Sequence, residues 1–422
     1  MLDCFRNIPH EKGRINIDII IFLGTQKSGS SREALQAAEN LGYFTCLFTK
    51  NYKQISDRHS YPEVHIMQYC ALDNIDAVRE TIRYLQHSAL KIRAIVSFID
   101  PYCALAARLA EEFGVGCFSY EAMEIMQNKH KTRELLKDSP YNPRFTVITK
   151  ENYEESERTV KRLLPAVIKY IDSNGSRDVY YCDRYSDYLK NSERLFNQYG
   201  DGTLILEEYL DGEQFIVEVL VIAGKVNIVA VVEQEIEYIN EHFIITGYNL
   251  LTNYSRSYFE KLKKSTEEIV KLYGLENGPC HLEMRLVKGN WKLVEINPRI
   301  SGAGMNRFLD IGFGINLVQE TLKLALGKEV NLERKHNKNT FAQHVILERS
   351  GILKKITGKR EVLASPGVKY VYVKPRKGSY LSPPSSLGNR YAFVIATGGT
   401  EKEARWNAKS AAEKIVFHLI SE

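Results

Sequence analysis

An α/β chain, with an N-terminal doubly wound parallel-sheet domain and a largely antiparallel β body behind it, is what this sequence predicts. Three observations carry the prediction. Short apolar runs alternate with helical stretches from residue 15 to about 118. A nearly unbroken β pattern, "TLILEEYLDGEQFIVEVLVIAGKVNIVAVVEQ", covers 203–234. A second hairpin, "GPCHLEMRLVKGNWKLVEINPR", runs from 278 to 299. Alternating strands and helices imply a parallel sheet covered on both faces. Long strands joined at tight glycine turns imply antiparallel pairing.

In chain order, "INIDIIIFLG" reads as a buried strand and "SREALQAAENLG" as a helix closed by Gly42. "FTCLFT" is a second strand, "IDAVRETIRYLQHSALK" a helix, "IRAIVSFID" a strand and "ALAARLAEEFG" a helix. The first turn, "LGTQKSGSS", fails the dinucleotide test. Gly24 and Gly29 lack G-x-G-x-x-G spacing, and the next strand ends in Thr49-Lys50-Asn51 rather than an acid. Beyond residue 120 come a basic helix, "NKHKTRELLKDS", and a strand–glycine loop–strand, "LPAVIKYIDSNGSRDVYYCD". The β body follows, with a turn expected at Gly224-Lys225, then an amphipathic helix, "SYFEKLKKSTEEIVKLYGL", and the 278–299 hairpin. After the helix "INLVQETLKLALGK" the tail has short strands, a Gly-Gly-Thr turn and a long closing helix. The expected divisions are 1–118, 119–203 (a lid bearing the glycine loop) and 204–422, with a C-terminal subdomain from about 336.

At 422 residues, 44% hydrophobic and 10% aromatic, the chain is a well-buried globular protein of two or three domains. A net charge of +5 without a dense basic block proposes no nucleic-acid partner. Seven scattered cysteines without C-x-x-C pairs fit reduced thiols. No apolar leader or membrane-length run is evident, so a soluble cytoplasmic protein is expected, with neither membrane nor nucleic acid as partner.

The segment "KLVEINPRISGAG" (292–304) concentrates the chemistry. Residues two apart on a strand share a face, so Glu295, Asn297 and Arg299 point one way, as do His281, Glu283 and Arg285 on the preceding strand. A two-residue loop at Gly289-Asn290 would put Glu283 and Glu295 on opposite faces. A three-residue loop, Lys288-Gly289-Asn290, would set them directly opposite each other. Two facing carboxylates repel, and a cation relieves them. Glu, Glu and an amide oxygen form a hard set suited to magnesium. A solvated hairpin face is the bland alternative. The loop "DSNGSRDV" can cradle phosphate through its backbone N–H groups, or be a plain flexible turn. Lys169 just before it is a cation in an apolar strand, which needs a partner. In "LILEEYLDGEQF", Glu207, Glu208, Tyr209 and Leu210 could meet an adenine and ribose, or form a hairpin edge.

Taken in order, Asn128-Lys129, Arg133, Lys169 with its glycine loop, "EEYLDGEQF", "HLEMRL", "VEINPRISG" and "IATGGTEKEA" closely resemble the ATP-grasp superfamily of carboxylate–amine or carboxylate–thiol ligases. The most similar branch is that of the L-amino-acid ligases, which make dipeptides. The resemblance runs from about residue 16 to the end. It implies a three-part ATP-grasp fold: N-terminal α/β domain, lid, and antiparallel ATP-binding body. It implies ATP and Mg2+ (or Mn2+) as cofactors, small amino or carboxylic acids as substrates, and leaves room for a homodimer.

Carried over residue by residue, the resemblance places Lys129 and Lys169 on phosphates or the adenine edge. It closes the loop Ser173, Gly175, Ser176 and Arg177 over the phosphates, and makes Glu207, Tyr209 and Leu210 the adenine strand. Glu283, Glu295 and Asn297 would hold the metal, and Arg299 the transferred phosphoryl group or substrate carboxylate. Asp178 stands where the family often has glycine, and the ribose acid falls on Glu213 or Gln214. The implied reaction is ATP-dependent amide formation through an acyl phosphate. A carrier-protein thiol acceptor, carboxylase-type chemistry, or a non-catalytic nucleotide scaffold are the alternatives. His281 is expected to pack under the hairpin. His242 and Tyr248 could line a substrate pocket or end a strand, and Arg307 could bind a carboxylate or form a surface ion pair.

Overall fold

The computed structural model describes residues 17–420 except 89, 155, 156, 172, 174–177 and 303. Its strands fall into four sheets. The first is parallel and joins Ile17–Leu23, Phe44–Thr49, Ile66–Tyr69 and Leu90–Val96, with the first strand between the second and the last. Ile66–Tyr69 has no counterpart in the sequence reading, because four residues of mixed polarity make too short a pattern to register. Helix Ser30–Asn40 ends where expected, with Gly42 at φ 85° beyond it. Gly24 is held at φ 73° against the Ile99 side chain, as the tight strand-to-helix turn requires.

A four-stranded antiparallel sheet follows, of Phe145–Ile148, Leu204–Glu208, Ala166–Tyr170 and Val179–Cys182 in that spatial order. Leu204–Glu208 therefore pairs within this smaller sheet, just past the division expected at 203. The large sheet has eight antiparallel strands. Its first five, edge inward, are Asn290–Asn297, Gly278–Val287, Glu213–Ile222, Lys225–Ile239 and His242–Leu250. Asn339–Val345, Ala392–Gly398 and Val368–Val373 extend it from the C-terminal region. The closing helix stops at Ala412, and Val416–Ile420 is a strand of a third antiparallel sheet, not the helical end the sequence suggested. Apolar Val416, Phe417 and Leu419 suit a pleated strand better than a solvated last turn.

The parallel-sheet domain docks on the body through one apolar core. Ala34, Leu35 and Ala38 pack there with Phe308, Leu317 and Val318. Among the described residues no helix is long and apolar enough to cross a membrane.

Three hairpins of the large sheet turn on two residues, both at positive φ: Ala223-Gly224, Asn240-Glu241 and Lys288-Gly289. The turn expected at Gly224-Lys225 is thus corrected, as are both loops considered for the other hairpin, Gly289-Asn290 and 288–290. Type I′ turns need positive φ at both central positions and favour glycine at the second, which places Gly224 and Gly289 second in their turns.

Candidate active site

The Lys288-Gly289 turn pairs Val287 with Asn290 and Met284 with Leu293. Continued unbroken, that register would place Glu283 opposite Val294. A bulge intervenes, and Glu283 pairs with Glu295 and His281 with Asn297. Both carboxylates therefore share a face, as the three-residue loop would have had it, but by another route. The extra residue is Val294, and its carbonyl accepts a hydrogen bond from Arg133 Nη2 at 2.5 Å. A buried arginine from the helix Lys129–Leu135 thus holds the irregularity that brings the acids together.

Burial raises the Glu283 carboxyl above the ordinary carboxylate range, and the facing Glu295 adds to the effect. Gln214 Nε2 lies 3.3 Å from Glu283, and Lys129 Nζ lies 3.8 Å from Glu295. His281 is buried and held neutral, lowered to about 4 by burial and then by Arg299. Its Nδ1 sits 2.9 Å from the Arg299 carbonyl oxygen and its Nε2 3.2 Å from the Asn297 amide nitrogen. His281 is thus buried on the same face as the acids, and its contact with the Asn297 amide nitrogen leaves the amide oxygen directed elsewhere. Among the described residues no three of His, Cys, Asp or Glu cluster as a metal site. The set on this face is two carboxylates and one amide. That donor chemistry fits magnesium, which takes one or two carboxylates and leaves its other positions to water and phosphate.

Arg299 closes the row. Its Nε donates to Asp100 Oδ2 at 2.7 Å, its Nη2 reaches the same oxygen, and its Nη1 donates to the Ile300 carbonyl at 3.1 Å. Asp100, from the parallel-sheet domain, was missed in the sequence. Its signal was "FIDP", an acid just beyond the carboxyl end of a parallel strand, where such sheets place ligand crevices. The turn after Arg299 is fixed twice. Ser301 N–H donates to buried Glu218 at 3.1 Å, and the Ser301 carbonyl accepts from Ser30 Oγ at 2.8 Å.

Beside this row lies a cleft whose walls include Lys129, Lys169, Ser173, Glu207, Tyr209, Leu210 and Gln214. Seven of the sequence-derived candidates for the nucleotide thus come together, and Glu283 and Glu295 line the same cleft. Gly175, Ser176 and Arg177 lie outside the described residues. Lys129 Nζ donates to the Ser173 carbonyl, tying the start of that loop to the acids. Asp178 turns away toward the helix Tyr185–Tyr199, accepting from Tyr199 Oη at 2.5 Å. Gln214 is buried in the cleft whereas Glu213, one residue earlier on the strand, is exposed.

The Glu207 carboxylate is engaged by Arg133 Nε at 2.6 Å and Lys169 Nζ at 2.9 Å. Burial alone would raise it, but the two cations hold it at about 2. Lys169 therefore has the partner its apolar strand demanded. Arg285 had only been placed on this face. Its Nε donates to Gln214 Oε1 at 2.9 Å, its Nη1 to the Leu210 carbonyl at 2.5 Å, and it lies 5.0 Å from the Tyr209 ring centre.

Gly212 lets the turn before Gln214 lie against the hairpin, since a Cβ there would strike the Leu286 carbonyl oxygen. Gly212→Ala is expected to cost about 1–3 kcal/mol by pushing Leu210 and Gln214 from their places in the cleft wall. A thermal melt checks it.

A second cavity of about 420 Å3 shares Glu283 and Glu295 with the cleft and contains Asp100, Asn297 and Arg299. Tyr248 lines it. His242 does not, lying instead beside the Tyr180 ring. Arg307 pairs with Asp310 at 3.6 Å and stacks on Tyr370.

Three family descriptions match the chain: an ATP-grasp N-terminal domain over 35–115, an ATP-grasp domain over 162–307, and L-amino acid ligase C-terminal domain 2 over 343–419. Dapdiamide A synthase of Enterobacter agglomerans is 21% identical over 349 residues, covering 78% of each protein. The L-arginine-specific L-amino acid ligase of Bacillus subtilis is 22% identical over 334 residues, covering 78% of this chain and 80% of its own length. The L-amino acid ligase of Bacillus licheniformis has the same fold, with a TM-score of 0.78 at 21% identity across 96% of this chain and 99% of its own.

Proposed function

We propose that this chain, an ATP-grasp protein carrying an L-amino acid ligase C-terminal domain, joins a small carboxylic acid, an amino acid in the simplest case, to an amine at the expense of ATP. One observation carries the reading. The pair Glu283 and Glu295, with Asn297 beside it, lies where the cleft and the 420 Å3 cavity meet. A phosphate held over the cleft would meet a carboxylate in the cavity at those acids.

Lys129 and Lys169 hold phosphate oxygens, Tyr209 and Leu210 hold the base, and Gln214 reaches the ribose. Glu283, Glu295 and Asn297 would hold magnesium, which neutralises phosphate charge when bound. A substrate carboxylate oxygen bonds to the γ-phosphorus as the bond to the β-phosphate oxygen breaks and ADP leaves. Arg299 meets the charge on the phosphoryl oxygens, and later that on the tetrahedral carbon adduct. The amine then forms the C–N bond, phosphate departs with the C–O pair, and the amine proton is lost. Water must be kept from the acyl phosphate until the amine arrives. The reaction is cytoplasmic, where ATP is supplied.

Phosphate release measured over pairs of amino acids tests this. Release above the ATP-only background with at least one pair, and an amide product by mass, is expected. Release only with a thiol acceptor, or none with any pair, would overturn it.

A further inference from the structure

The 420 Å3 cavity has an end that the reaction above does not use. Its walls there are Tyr248, His344, Tyr370, Arg390 and Phe393. Arg390 stands just before the strand Ala392–Gly398 and is half-buried. Its Nε donates to the Leu387 carbonyl at 3.3 Å, and its Nη1 lies 3.4 Å from the Ile245 carbonyl and 3.2 Å from Tyr248 Oη. Among the described residues it forms no ion pair with a carboxylate, although Arg299 has Asp100 and Arg133 has Glu207.

Its other neighbour is His344, a buried ring whose pKa burial and then Arg390 push well below the ordinary value. The ring stands edge-on to Tyr248, centroids 5.3 Å apart, and its buried Nε2 has no hydrogen-bond partner. Two carbonyls and a phenol solvate the guanidinium but do not cancel its charge. A cation half removed from water, lining a cavity and without a paired carboxylate among the described residues, has the chemistry to hold an anionic ligand there.

The distance from the acids argues that this anion is not the reacting group. Arg390 contacts the strand His242–Leu250, three strands across the sheet from Gly278–Val287. At a strand spacing of about 4.8 Å, that is roughly 14 Å from the line of Glu283. Ile216, on one of the strands between, lines the cavity along the way.

Resting on the ligase reading, we propose that Arg390 and Tyr248 bind a second substrate carboxylate, one that is not consumed, and so select for acids that carry it. It is either the α-carboxylate of the amine-bearing amino acid or a side-chain carboxylate of the activated one.

The test compares wild type with Arg390→Met. L-Glutamate against L-glutamine probes the activated position, and L-alanine against L-alaninamide probes the amine-bearing position. Binding is read by calorimetry with ADP and magnesium present, alongside phosphate release, so that the inference is decided even if no pair turns over. In one of the two comparisons wild type is expected to favour the carboxylate at least 10-fold. That comparison identifies which carboxylate is held. In R390M the preference is expected to vanish, through roughly 100-fold weaker binding of the acid and less than 3-fold change for its uncharged counterpart. Arg390→Lys keeps the charge without the fork and should recover part of the preference. Melting curves verify that both variants are folded. No preference in either comparison, or a preference that survives in R390M, overturns the proposal. Failure of every pair to release phosphate bears on the ligase reading instead.

Discussion

Glu295→Gln is expected to lower amino-acid-dependent phosphate release by about 10^3-fold or more, the scale of removing an electrostatic anchor from a preorganised site. The apo protein should meanwhile melt within a few degrees of wild type. Two effects on stability oppose each other. Removing one of two facing carboxylates relieves about 0.2–1 kcal/mol of like-charge repulsion. Losing the 3.8 Å contact with Lys129 gives part of that back. A protein that loses its activity but not its stability is the signature of residues kept for function. Glu283→Gln should behave alike, because it occupies the facing position in the same register. Phosphate release within tenfold of wild type in both variants would sink the metal assignment and leave the pair as a strained feature of the hairpin.

Glu207→Ala carries the largest expected effect on stability, about 3–5 kcal/mol. The carboxylate neutralises Arg133 and Lys169, and all three groups are buried. Without it two cations face each other in an apolar environment, and Arg133 is freed from the geometry that holds the Val294 bulge. Activity should fall with stability, because the bulge sets Glu295 opposite Glu283.

The same group fixes an acid limb. Glu207 is held at about 2, below its ordinary 4.5. A carboxyl depressed in the folded state contributes stability that is fully present above its unfolded value. That contribution is lost as pH falls from about 4.5 toward 2. Urea midpoints measured across that window should fall more steeply in wild type than in Glu207→Gln. Equal slopes would remove Glu207 from the account.

The alternation of Glu295, Asn297 and Arg299 and of His281, Glu283 and Arg285 is written in the chain, since a strand's period of two needs no tertiary information. So are the glycine turns to within one residue, the amphipathic helices and the order of motifs. Which face meets which was not legible. Period and turn residues alone left Glu283 and Glu295 either opposite or on opposite faces. The choice was made by a bulge at Val294 that a buried arginine 161 residues away in sequence stabilises.

The same holds for Asp100, brought to Arg299 from another domain across 199 residues, and for Arg390, carried to Tyr248 across 142. Local sequence determines the period, the turn chemistry and the residue types that chemistry requires. A long-range pairing between charges depends on which surfaces the chain buries together, so only the tertiary structure decides it.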